Sequence, residues 1–566
     1  MAIGEKLGGL RSKPKPRKVL QKADSTKLPE GITVIEKITN PNMGEIEIVP
    51  IREPFSYVRI KYDNVASEYL YEVIEPRLQA KEERVLDHLK KDLTKTLNQA
   101  SDKNDKEREK ILWDATEQLL ERDEEIVASA ARQRIHYFLR RDFIGYGAID
   151  AMLVDPFVED CSCDGVGIPL YVYHRKYGSI RTNVIFNDEL ELDAFANWMA
   201  QKCKKHISVA DPLLDATLPD GSRLNIALGK QVTKRGSCFT IRRFKENPYT
   251  PIDLIKFHTM NTEMMAYLWI STEYGCSMMV CGGTASGKTT TLNAVLLFIP
   301  PSKKIISIED TRELNLPHEN WIPGVTREGF GGRRSGQVGT VDMFDLLTAA
   351  LRQRPDYLMV GEVRGKEAYV VFQAMATGKT SYSTFHADDV QAMVHRMENN
   401  PINLPRALVT ALDIVMLQGQ VKVGSKMTRR VKSLTEIVGM DPETSELITN
   451  AVFTWNPADD TFSYNGHSYI GSGPLDPTNF VASDFPASYQ IFFIDGCISY
   501  NYYEKVRAIK NWSPREMDRE VKRRVEILDH MRRIGVDNYR QVARIISAYY
   551  RNPDRLMKEI REGPKV

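Results

Sequence analysis

The sequence predicts an α/β protein whose main unit is a parallel sheet with crossover helices, preceded by an α+β domain and flanked by helical extensions. Three observations predict it. Four short apolar segments, Met278–Cys281, Lys304–Ile308, Tyr357–Val360 and Ser381–Phe385, alternate with helix-compatible stretches, the pattern of βαβ units. The first runs directly into Gly282-x4-Gly287-Lys288-Thr289, a glycine-rich turn between a strand and a helix. Ahead of them, strand-like runs at Leu170–Tyr173 and Ser237–Ile241 enclose a helix near Leu190–Lys202.

The remaining elements follow in order. Residues 1–30 are basic and rich in Pro and Lys, with seven cations against Glu5 before residue 23, and read as a flexible arm. An anionic lipid face is a candidate contact for it. Residues 31–141 form a strand and helix region. Glu45–Val49 and Tyr57–Ile60 alternate as strands, and from Glu72 to Arg141 the pattern becomes helical, with Leu86, Leu89, Leu93 and Leu97 three to four apart. An α+β domain spans 142–247, the nucleotide-type unit 248–470, and a helical region 499–566. Within the last, Ser513-Pro514-Arg515-Glu516 is a helix start, Gly535 a stop and Asp537 a candidate cap for a helix to about Tyr550. Between them, residues 471–498 hold only three charges, Asp476, Asp484 and Asp495.

Composition excludes several classes. The chain has 566 residues, 27% charged, and a formal net charge of +2, so bulk electrostatics do not argue for nucleic acid. Seven scattered cysteines with no Cys-x-x-Cys pair suit free thiols in a reducing compartment rather than a disulfide scaffold or zinc knuckle. No uninterrupted apolar stretch approaches the ~18 residues of a membrane span. The expected location is therefore cytoplasmic, with any membrane role peripheral.

The chemistry concentrates at the strand ends. Backbone amides of Gly282, Gly283, Thr284, Ala285, Ser286 and Gly287 suit a phosphate cradle, aided by the following helix N-terminus, which opens with Thr289 and Thr290. Lys288 supplies a point charge for β- and γ-phosphates, and the Thr289 hydroxyl suits a magnesium ligand. Glu309 and Asp310 close a second strand, where carboxylates reach the ligand edge of a parallel sheet and can order the magnesium's waters or polarise the attacking water. Glu362 closes a third, after Gly361, where many P-loop ATPases carry an aspartate. Glu362 is thus the candidate for orienting the attacking water, and metal support falls to Thr289, Glu309 and Asp310. Arg352, Arg354 and Arg364 are candidates for neutralising transition-state charge or for making intersubunit bridges. His386 closes a fourth strand and reads as a phosphate or conformation sensor.

Together these segments resemble the secretion-type ATPases, the hexameric motors of type II secretion, type IV pilus assembly and retraction, and archaellum rotation. Gly282–Thr289 corresponds to the Walker A loop, Glu309–Glu313 to the Asp box, Tyr357–Glu362 to Walker B, and His386–Asp389 to the His box. Tyr171–Gly178, Leu218–Asn225, Phe239–Phe244 and Pro401–Arg406 look archaeal in particular, as does the lack of a tetracysteine insert. The resemblance implies a RecA-like core with a PAS-like N-terminal domain, ATP and Mg²⁺ as ligands, and a homohexamer. It also implies a polytopic membrane platform protein as partner, and arginines at 223, 242 and 243 facing the nucleotide. No nucleic acid is expected; a nucleic-acid translocase on the same core is the rival reading.

Overall fold

The computed structural model describes residues 40, 42–97, 105–122, 129–245, 247–327, 339–424, 426–465, 510–536 and 538–562. The basic arm and the low-charge segment 471–498 lie outside them. The chain divides into two compact units, one ending at Phe244 and the other beginning at Lys245.

The first unit is built on nine strands: β1 (Met43–Arg52), β2 (Ser56–Asp63), β3 (Glu68–Ile74), β4 (Val158–Cys163), β5 (Pro169–His174), β6 (Gly178–Ile185), β7 (Leu213–Thr217), β8 (Arg223–Ala227) and β9 (Cys238–Arg242). They form one sheet in the order β1-β2-β3-β6-β5-β4-β9-β8-β7, antiparallel except where β3 meets β6. Alternating apolar residues such as Cys161, Val172, Leu224 and Ile241 face a core shared with Leu192, Ala196 and Met199 of the helix Glu189–Lys202. That helix starts where the Asp188 side chain accepts from the Glu191 N–H at 3.2 Å. The helices Ala80–Leu97, Asp105–Arg122 and Ser129–Phe143 enclose a smaller core of their own around Leu89, Leu93, Ile135 and Leu139.

Two readings change here. Glu72 opens no helix but lies in β3, because Tyr71 and Val73 are buried on one side while Glu72 pairs across the sheet with Arg59 and Lys61 at 2.5 and 2.6 Å. The sheet also runs across the division at residue 141, since strands from 43–74 and 158–242 share it.

The second unit carries β10 (Met278–Cys281), β11 (Ile305–Glu309), β12 (Trp321–Val325), β13 (Tyr357–Val360), β14 (Thr380–Phe385), β15 (Ile414–Val423), β16 (Lys426–Met440), β17 (Leu447–Asn456) and β18 (Thr461–Tyr464). Their order is β12-β11-β13-β14-β10-β15-β16-β17-β18. The first six are parallel and the rest antiparallel. This is the RecA-like arrangement, with the glycine-rich strand inside the sheet and its neighbours reached by helical crossovers. Strands β10, β11, β13 and β14 are buried along their whole length, as a sheet covered on both faces requires.

C-terminal helices complete the second unit's core. Ser513 and Glu516 form the capping box of the helix Pro514–Ile534, which ends at Gly535. Asn538 caps Tyr539–Arg551, its side chain accepting from two backbone N–H groups, and Asp537 lies outside the described residues. A further helix, Pro553–Glu562, follows. Trp269 stacks on Phe298 at 4.9 Å and donates its indole N–H to the Tyr550 hydroxyl at 2.9 Å. Arg524, fully buried, joins Glu273 and Glu520.

Among the described residues no helix is long and apolar enough to cross a membrane. Cys161, Cys163, Cys203, Cys238, Cys276 and Cys281 are unpaired.

Candidate nucleotide-binding site

Because β10, β11, β13 and β14 are parallel, the segments that follow them leave from one edge of the sheet. The edge is stitched by backbone: Gly282 N–H donates to Phe385 O at 3.2 Å, Gly361 N–H to Ile308 O at 2.9 Å, and Val363 N–H to Thr384 O at 3.1 Å. The Thr384 hydroxyl also donates to Gly361 O at 2.7 Å. Gly282, Glu309, Glu362 and His386 are thereby brought to one site.

The loop leaving β10 turns sharply. Gly282 has φ +154°, and a Cβ there would stand 2.0 Å from the carbonyl oxygen of Gln418 on β15, so only glycine fits. Lys288 opens the helix Lys288–Val295, and its ammonium donates to Gly282 O and Gly283 O at 3.0 and 2.9 Å. Ser286 Oγ donates to Gly283 O at 2.9 Å. Burial pulls the Lys288 pKa below its ordinary value, against the pull of Glu362. Thr289 and Thr290 are half-buried on the first helical turn.

Glu362 stands between Arg364 and His386. One oxygen meets Arg364 and the other lies 3.0 Å from His386 Nε2, an ion-pair distance without hydrogen-bond geometry. Burial first, and the charge of Lys288 second, hold His386 below its ordinary pKa and so favour the neutral imidazole. A cavity of about 660 Å³ opens beside Glu362, lined in part by Asp310, Thr326, Arg327, Asp342 and Arg364. It lies beside the carboxylate rather than over the glycine-rich loop, whose carbonyls are taken up by Lys288.

Glu309 is buried. Its Oε1 accepts from the Glu313 and Leu314 N–H groups at 2.9 and 3.0 Å, and its Oε2 has no partner. Burial pushes its pKa up to about 7, against those two hydrogen bonds. Asp310 is exposed, and the Thr326 hydroxyl reaches it at 3.4 Å. Among the described residues no three His, Cys, Asp or Glu side chains form a metal cage. A hydroxyl and one or two carboxylates nevertheless fit magnesium, which keeps several waters and leans on phosphate oxygens. The orphaned Glu309 Oε2 is the donor still to be used.

Arg223, Arg242 and Arg243 belong to the first unit. Arg223 and Arg242 face each other across β8 and β9. Arg223 pairs with Asp215 at 2.5 Å and Arg242 with Asp160 at 3.3 Å. Arg243 turns inward onto the carbonyls of Asp155 and Val158.

Arg429 of β16 escaped the sequence reading, yet its Nε donates to Ala285 O within the loop at 3.0 Å. No motif marks it, because it arrives through an antiparallel hairpin with no local signature.

A family model described as type II/IV secretion system protein matches residues 174–456. The uncharacterized protein MJ0900 of Methanocaldococcus jannaschii is 39% identical over 420 residues, covering 74% of this chain and 70% of that one. The type IV secretion system protein PtlH of Bordetella pertussis is 29% identical over 273 residues, 42% of this chain and 79% of its own. Among solved structures, the pilus retraction motor PilT with bound ADP is similar with a TM-score of 0.37 and 20% identity, covering 51% of this chain and 82% of that one.

Proposed function

The chain belongs to the type II/IV secretion system protein family, and from that premise we propose that it is an ATP-hydrolysing motor for a type IV pilus-like filament, an archaellum or archaeal pilus. The observation that carries this reading is the single sheet edge shared by Lys288, Glu309, Glu362 and His386.

In the proposed mechanism the backbone from Gly282 to Gly287 and the Lys288 ammonium bind the phosphate chain. Thr289, with Glu309 and Asp310, would hold the magnesium that accompanies ATP. That ion supplies charge neutralisation across the β- and γ-phosphates. Glu362 orients the attacking water, its carboxylate aimed by Arg364 and His386. Neutral His386 then reports the γ-phosphate through its contact with Glu362. Arg223 and Arg242 are proposed as cations answering the nucleotide, within a subunit or across an interface. Arg243 would first have to leave the carbonyls it holds.

The acting form is proposed to be a homohexamer docked on a polytopic membrane platform protein at the cytoplasmic face, with the basic arm toward anionic lipid. Phosphate release by the purified protein tests this reading, with Lys288→Ala, anionic vesicles and duplex DNA as separate arms. Turnover lost in Lys288→Ala, raised by vesicles and indifferent to DNA is the expected result. Unchanged hydrolysis in Lys288→Ala would overturn the ATPase assignment. Stimulation by DNA with steep salt dependence would put a translocase in its place.

A further inference from the structure

The P-loop has a neighbour on each side of β10. On one side stand β14 and the strand ends already described. On the other stands the hairpin of β15 and β16, paired to β10 through Met278↔Ile414 to Cys281↔Leu417. Four contacts bring this hairpin onto the loop. Gln418 O packs where a Gly282 Cβ would go, at 2.0 Å, and Gln418 Nε2 and Arg429 Cδ lie 3.1 and 3.2 Å from the Cβ position of Gly287. Arg429 Nε donates to Ala285 O. The backbone at Gly282 and Gly287 is therefore packed against the hairpin.

Alternation along β16 aims the two adjacent arginines oppositely. Arg430 is buried and locked in a two-pronged pair with Asp460 at 2.8 and 2.9 Å. Arg429 faces outward at the loop, and apart from Ala285 O no group among the described residues bonds its guanidinium. A planar fork with its terminal N–H groups unused, tethered by Nε to a phosphate-binding loop, is suited to an anionic oxygen at that loop.

Resting on the ATP-binding reading above, we propose that Arg429 is a positioning residue of the nucleotide site, holding the loop at Ala285 and adding a second cation to the phosphate chain from the β15 side. Lys288 and Arg429 then grip the same chain from opposite flanks, and the β15–β16 hairpin feels whether nucleotide is bound.

The test measures the Kd for ATP and for ADP, with KM and kcat, in full-length Arg429→Ala, Arg429→Lys, Lys426→Ala and Lys288→Ala. Arg429→Ala is expected to weaken both nucleotides about tenfold, equal to about 1.4 kcal/mol, raising KM with kcat within about twofold. Arg429→Lys, which keeps the charge, is expected to recover most of the affinity. Lys426→Ala, on the hairpin tip, is expected to match the wild type. Unchanged Kd and KM in Arg429→Ala, with Lys288→Ala inactive, would overturn this inference and leave the ATPase reading standing. An equal loss in Lys426→Ala would reduce the effect to general surface charge and overturn it as well. Unchanged turnover in Lys288→Ala would instead remove the reading on which it rests.

Discussion

Glu309 Cγ lies 3.1 Å from where a Cβ on Gly361 would stand. The missing side chain after β13 and the buried carboxylate after β11 are thus one feature, since the space a residue at 361 would fill is occupied by Glu309. A side chain at that position, where many P-loop enzymes carry an aspartate, would require Glu309 to give by a few tenths of an ångström.

Gly361→Ala should therefore be destabilising by about 1–3 kcal/mol, the range for overpacking a filled site. Most of that loss should vanish in the Glu309→Ala background, where Cγ is gone. Urea unfolding of the two single variants and the double variant measures the coupling. Additive losses would show that the two residues do not compete for the same space.

Glu309 should make stability fall with rising pH. Its folded pKa is about 7, above the ordinary carboxylate value, so the folded protein binds more protons than the unfolded chain between about pH 4.5 and 7. Stability is full below that window and is lost as pH rises through it. Glu309→Gln keeps the acceptor for Glu313 and Leu314 N–H and removes the titration. It should gain on the wild type by up to roughly 3 kcal/mol between pH 5 and pH 8, read from melting curves at both pH values. A gain independent of pH would contradict the shift.

His386 should titrate below the ordinary histidine value of about 6.5. Burial and the Lys288 charge lower it, while Glu362 raises it. The imidazole midpoint, followed by NMR, should rise in Lys288→Ala and fall in Glu362→Gln. A wild-type midpoint above 6.5 would remove the neutral-sensor role.

How much of this was legible follows from range. Glu309, Glu362 and His386 each end a strand in a βαβ pattern, and a parallel sheet collects such ends at one edge, so local sequence sufficed. Gln418 reaches the loop through the parallel pairing of β15 with β10 and Arg429 through the β15–β16 hairpin, neither of which leaves a local mark. Glu72 belongs to a strand rather than a helix because its deciding partners, Arg59 and Lys61, sit across the sheet, beyond the reach of local pattern. The PAS-like label for 142–247 rests on resemblance alone. In the tail, Asn538 caps the helix by bonding both Arg540 and Gln541 N–H groups, while Asp537 lies outside the described residues. The helix Pro553–Glu562 is set off by Asn552-Pro553, with the Asn552 side chain accepting from the Arg555 N–H at 3.0 Å.

Arg524 ties the tail to the core, with the Glu273 and Glu520 carboxylates around it and Tyr549 donating to Glu520 at 2.6 Å. Arg524→Ala should lose about 3–5 kcal/mol, the effect of leaving a buried charge without its partner. Chemical denaturation measures it, and a loss below about 1 kcal/mol would show that water reaches the carboxylates.

The central claim is that Glu362, at the end of β13, drives hydrolysis of ATP held by Lys288. The most direct measurement is ATP binding and phosphate release in Glu362→Gln beside the wild type. Binding within about twofold and turnover reduced at least about a hundredfold, as for loss of a water-orienting group, is the expected result. Turnover within about threefold of the wild type, with binding intact, would contradict it.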